Sequence, residues 1–138
     1  MMRAMTSELY YLTLTALWLS ALWIPFIVGV SIYDGKNIKA NFISPPDPGR
    51  LPDWVKRANR AHLNLVEQFA AFAVLVLVAH LLGISNAWTQ WAAIAFFWLR
   101  VAHSLVMWSG FAAFPLRSVI FTGAWICILV MGWQVLAS

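Results

Sequence analysis

Arg57-Ala58-Asn59-Arg60-Ala61-His62-Leu63-Asn64-Leu65-Val66-Glu67-Gln68 begins a long apolar run that continues to Leu82. Arg57, Arg60, Asn64 and Glu67 are spaced three, four and three residues apart. An α-helix carries residues at those steps on one face. Ala58, Ala61, Leu65 and Val66 take the other face. A polar stripe is thus drawn down into what reads as a membrane-spanning helix. Ionisable groups inside a span cost roughly 2.5–3.5 kcal/mol each on insertion scales, and they face a partner or a wet cavity. The stripe is therefore read as one wall of a polar binding site.

Composition points the same way. Of 138 residues, 62% are hydrophobic and only 10% charged, against about 25% charged in an average soluble domain. Four apolar runs, approximately 9–33, 52–82, 87–108 and 117–136, are each long enough to cross a bilayer. The expected fold is an all-α integral membrane protein, a four-transmembrane-helix bundle forming one domain over 1–138. Pro25 predicts a kink in the first span. The N-terminal run is too long for a signal peptide and lacks a small-x-small cleavage site. Cys127 stands alone, so no disulfide framework and no cysteine metal cluster is expected. No His/Cys/Asp/Glu set has metal-site spacing, so the metal expectation is none. The net charge of +4 speaks to topology and anionic lipid, not to nucleic acid.

The segment 34–51 carries Pro45, Pro46 and Pro48 together with Gly35 and Gly49, so it cannot be one continuous helix. Two readings stay open for it, a binding loop or lid and a flexible linker. The turn Gly83-Ile84-Ser85-Asn86 is short, which makes the flanking helices antiparallel. Lys36, Lys39, Arg50, Lys56 and Arg57 fall on the side opposite the termini, where Arg117 also lies, whereas the termini side has only Arg3. The positive-inside rule then places the 34–51 loop and the site in the cytoplasm.

Glu67 lies roughly 10 Å inside the edge marked by Arg60, at 1.5 Å rise per residue. Arg100 falls at similar depth on the antiparallel third helix. Glu67 and Arg100 are expected to pair, as a structural ion pair or as two ends of one ligand clamp. His103 lies one turn nearer the edge, and Arg117 opens the fourth helix there. Arg57, Arg60, Asn64, Glu67, Arg100, His103 and Arg117 can thus converge on one pocket. Its excess of cations suits an anionic ligand with one ammonium group for Glu67. Arg57 and Arg117 also admit a plainer reading as interfacial anchors. His62 falls off the stripe, where it packs or meets a neighbouring subunit. His80 is read as interfacial.

At these residues the chain resembles the MAPEG family, the membrane-associated proteins of eicosanoid and glutathione metabolism. Arg60-Ala61-His62-Leu63-Asn64 with Glu67 is similar to the family's Arg-Ala-x-x-Asn-x-x-Glu signature. Arg100-Val101-Ala102-His103-Ser104 and Leu116-Arg117 are the second and third matches. The resemblance implies a homotrimer that binds glutathione between subunits and brings it to a lipophilic substrate arriving from the bilayer. It implies that Arg60, Asn64, Glu67 and Arg100 hold glutathione, with Arg57, His62 and His103 beside them. Arg117 is implied as the catalytic cation that stabilises the thiolate. The chain differs from the family pattern at Asn59, at Gln68 and at Met107, where many members have Tyr. Two other readings remain, a non-catalytic ligand-binding member of the fold and a small four-span transporter.

Overall fold

The computed structural model describes residues 5–111 and 115–138; Arg3 and part of the link between the third and fourth spans lie outside them. Four stretches are long and apolar enough to cross a membrane: Ser7–Tyr33, Asp53–Leu81, Ala87–Ser109 and Leu116–Leu136, of 27, 29, 23 and 21 residues. About 20 residues suffice for a span.

The first span is two helices, α1 (Ser7–Leu22) and α2 (Ile24–Tyr33), joined at Trp23. Pro25 lies in the first turn of α2, where its missing N–H costs least, so the predicted kink falls there. The next polar segment is ordered by short helices: a 3-10 turn at Gly35–Asn37, α3 (Ile38–Asn41) and a second 3-10 turn at Pro48–Arg50. The buried Asp34 carboxylate accepts from Asn37 Nδ2 at 2.7 Å and Asn41 Nδ2 at 2.9 Å, and Arg50 Nη1 lies 3.6 Å away. Those hydrogen bonds, Asn37 first and then Asn41, with help from Arg50, hold its pKa below the ordinary 3.8.

α4 (Asp53–Leu81) and α5 (Ala87–Ser109) form the central antiparallel pair. α1 packs on both, α2 on α4, and α6 (Leu116–Leu136) on both central helices, most extensively on α5. Along α4 the buried positions are Val55, Ala58, Ala61, Leu65, Gln68, Phe72, Val76 and Ala79, a three-and-four spacing that makes one continuous seam. Phe72 stacks on Phe96 of α5 with ring centroids 3.9 Å apart. Val66, expected on this face, is instead 44% exposed; the seam's drift of 100° per residue carries it outward.

The turn between α4 and α5 has clear local causes. Gly83 adopts φ +73°, and Ile84 N donates to Ala79 O while Gly83 N donates to His80 O, a Schellman ending. Asn86 and Thr89 then form a reciprocal capping box at the start of α5. Glu8, in the first turn of α1, is 3% exposed. Its carboxylate accepts from Ser85 Oγ at 3.0 Å and from Thr89 Oγ1. The positive end of α5 favours a carboxylate there.

Candidate functional site

At the end of the bundle that carries the 34–51 loop, α4, α5 and α6 enclose a pocket of about 190 Å³. Arg60 and Asn64 enter from α4, one turn apart. His103 enters from the last turns of α5. Arg117, Ser118, Phe121 and Thr122 come from the first turns of α6. Arg60 and Asn64, Arg117 and Phe121, and Ser118 and Thr122 are each four residues apart, so one face of α4 and one of α6 present them together.

Arg100 lies one turn deeper, behind the wall made by His103 and Phe121. It is 1% exposed, and its Nη1 donates to Gln68 Oε1 at 3.1 Å. Its guanidinium carbon stands 5.7 Å from the Phe121 ring centroid, a cation–π distance. Arg100 Nε and Nη2, Gln68 Nε2 and both ring nitrogens of His103 are buried with no hydrogen-bond partner among the described residues. Each such group costs about 1–3 kcal/mol, and more when charged. The cluster therefore has spare donor capacity for an acceptor that is polar and preferably anionic.

The structure brings together Arg60, Asn64, His103 and Arg117, with Arg100 immediately behind them. Three other expected residues fall outside the pocket lining. Arg57 Nε donates to the Met107 carbonyl at 3.0 Å, so this cation caps the last turn of α5 beside Gly110, whose φ is +82°. His62 is half-buried on α4 and Glu67 is exposed. Of the two readings of Glu67 with Arg100, the direct ion pair does not form among the described residues, and the two-ended ligand clamp stays open: Arg100 turns to Gln68, the neutral residue next in sequence. The reason is helical phase, since Gln68 continues the buried seam of Ala61 and Leu65 and Glu67 is 100° away from it.

Ser118, Phe121 and Thr122 are not among the residues the sequence singles out, and Gln68 stands there only as a departure from the family pattern. A signal existed for Gln68, a lone polar residue at a seam position. None existed for the three on α6, whose spacing only gains meaning beside Arg117. A larger hollow of about 590 Å³ lies at the far end, against Trp88, Ile126, Leu129, Val130, Trp133 and Gln134. It has no titratable lining residue and so offers no comparable chemistry.

The family model that matches the chain is that of the MAPEG family, over residues 9–137. No curated protein and no solved structure matches it.

Proposed function

Because the chain belongs to the MAPEG family and is a multi-pass membrane protein, we propose that it binds glutathione at the α4–α5–α6 pocket and uses it as cosubstrate against lipophilic electrophiles. The reading includes a homotrimer with the pocket on the cytoplasmic side, where Lys36, Lys39, Arg50 and Lys56 also fall. The observation that carries it is the buried Arg100, held by one neutral partner and keeping two donor nitrogens unpaired, directly behind Arg60 and Arg117.

Glutathione suits that donor set. It has two carboxylates for guanidinium groups and one ammonium for a carboxylate, the role left to Glu67. A pocket of about 190 Å³ is smaller than the roughly 300–1,000 Å³ of ordinary ligand sites, so a second copy is needed to complete the wall. In this reading Arg60 and Arg100 take the carboxylates and Asn64 orients the peptide. Arg117 stands nearest the thiol. A guanidinium there lowers the thiol pKa, so that the proton leaves to water and the thiolate attacks the electrophile. In this reading Ser118 and Thr122, which line the same pocket, donate hydroxyl hydrogens to the sulfur.

Calorimetry of glutathione binding to the purified protein in detergent tests this. Wild type is expected to bind in the micromolar to low-millimolar range, and Arg100→Ala to lose binding. Arg117→Ala is expected to keep binding but to lose the ultraviolet thiolate absorbance of the complex. No heat and no thermal stabilisation by excess glutathione would sink the proposal. A second reading, binding without chemistry, is favoured by the position of the tyrosines. Tyr10, Tyr11 and Tyr33 belong to α1 and α2, and Met107, where many members of the family have Tyr, is buried. Glutathione that binds with its thiol still protonated would select that reading.

A further inference from the structure

We propose that the junction of α2 with the 34–51 segment is a binding site for an anionic phospholipid of the adjoining leaflet. Two hollows meet there. One, of about 520 Å³, is polar and includes Ser31, Tyr33, Asp34, Lys36, Asn37 and Arg50. The other, of about 320 Å³, is an apolar groove between Phe26, Ile27, Val30, Ile38, Phe42 and Pro46. Ser31 lines both, so a head-and-tail molecule can occupy them as one site.

Charge and depth select the occupant. Lys36 lines the polar hollow and Lys39 stands on the short helix that follows, and both are exposed. Two carboxylates lie nearby: Asp34, whose oxygens are taken by Asn37, Asn41 and Arg50, and Asp47, which lies 3.7 Å from Arg50 Nε, so both are engaged with Arg50 and leave the two lysines. The free charge at the polar end is thus positive. The groove follows the last two turns of α2, and from Tyr33 to Phe26 the helix descends about 10 Å. Tyr33 and Trp54 pack with centroids 6.1 Å apart at this level, as aromatic pairs do at a membrane interface. Beside the cations, Phe42 and Ile43 are 86% and 91% exposed. Apolar side chains flanked by lysines at a bilayer edge enter the acyl boundary while the ammonium groups stay at the headgroups.

Native mass spectrometry of the full chain, loaded with phosphatidylglycerol or phosphatidylcholine of equal chains, tests the site. Phosphatidylglycerol is expected to be retained about thirtyfold more strongly, from two cations acting near a membrane surface. Lys36→Gln with Lys39→Gln should remove that preference. Ile27→Trp, which fills the groove, should lower retention of both lipids. Glycerol phosphate, the headgroup without chains, should fail to compete. Equal retention of the two lipids by wild type overturns the proposal, as does a preference that survives the double lysine variant. Competition by glycerol phosphate would make this a free-anion site instead. A disulfide between copies carrying Ile38→Cys in a Cys127→Ser background would show that a second copy covers the groove, and would also overturn it.

Discussion

Arg100 has one neutral partner in a buried setting, and that makes Gln68 the most informative side chain in the protein. Gln68→Leu removes the acceptor and leaves the guanidinium without any side-chain hydrogen bond. A hydrogen bond to a charged group contributes about 1.5–3 kcal/mol, so thermal unfolding in detergent should show a loss of that order. Gln68→Glu acts in the opposite sense. It supplies a carboxylate at the 3.1 Å contact, closes the ion pair and takes up the charge that an anionic ligand would use. The fold should survive and glutathione binding should weaken at least tenfold, one carboxylate interaction being about 1.4 kcal/mol or more. Unchanged affinity in Gln68→Glu would mean that Arg100 does not face the ligand. The same residue shows where reading the sequence stopped short. Arg60, Asn64, Arg100, His103 and Arg117 were legible as a group because charge inside an apolar run is conspicuous. The Gln68 contact to Arg100 was not legible, because it depends on Gln68 continuing the buried Ala58–Ala61–Leu65 seam while Glu67 points away from it.

Among the helices, α2 depends on close approach to α4. A Cβ on Gly29 would collide with the Val55 side chain and come within 3.1 Å of Trp54 Cη2. Gly29→Val should therefore push the two helices apart and destabilise the protein by about 1–3 kcal/mol, read as a lower melting temperature. The loop that follows carries the pH dependence. The Asp34 pKa is depressed in the folded protein, so its ionised form stabilises the fold above the unfolded value near 4. That contribution is lost as the pH falls through the lower folded value. Melting followed from pH 6 to pH 3 should show an acid-side decline in wild type that is smaller in Asp34→Asn, which starts lower at pH 6. Parallel curves would mean that the loop is not pinned by this carboxylate. The four long helices were legible because apolar runs of more than 20 residues have few alternatives. The order within 34–51 was not, because it comes from Asp34 reaching Asn37, Asn41 and Arg50, contacts that no hydrophobic period encodes. The burial of Glu8 was illegible for the same reason: its partners Ser85 and Thr89 are 77 and 81 residues away.

A single copy leaves one face of α4 unexplained. Leu63, Val66, Val74 and Leu77 are between 44% and 58% exposed, and Glu67 and Ala70 lie exposed on the same side. In lipid the apolar members of this face need no partner, but a carboxylate well inside the span does. Small residues beside it, Ala70 and Ala71, allow another helix to come close. The pocket within one chain, at about 190 Å³, is also too small for the proposed ligand. Both are resolved if the α4 face is covered by a second copy that also finishes the site. Ala70→Trp should then block assembly and abolish glutathione binding together, with the helical content by circular dichroism unchanged. Leu136→Trp, at the last turn of α6 and 85% exposed, should do neither. Sedimentation in density-matched detergent reads the mass and calorimetry reads the ligand. Ala70→Trp that still binds glutathione as a monomer would separate the two arguments. The pocket would then be complete within one chain, and Glu67 would have to find its partner in the headgroup region by bending toward the edge.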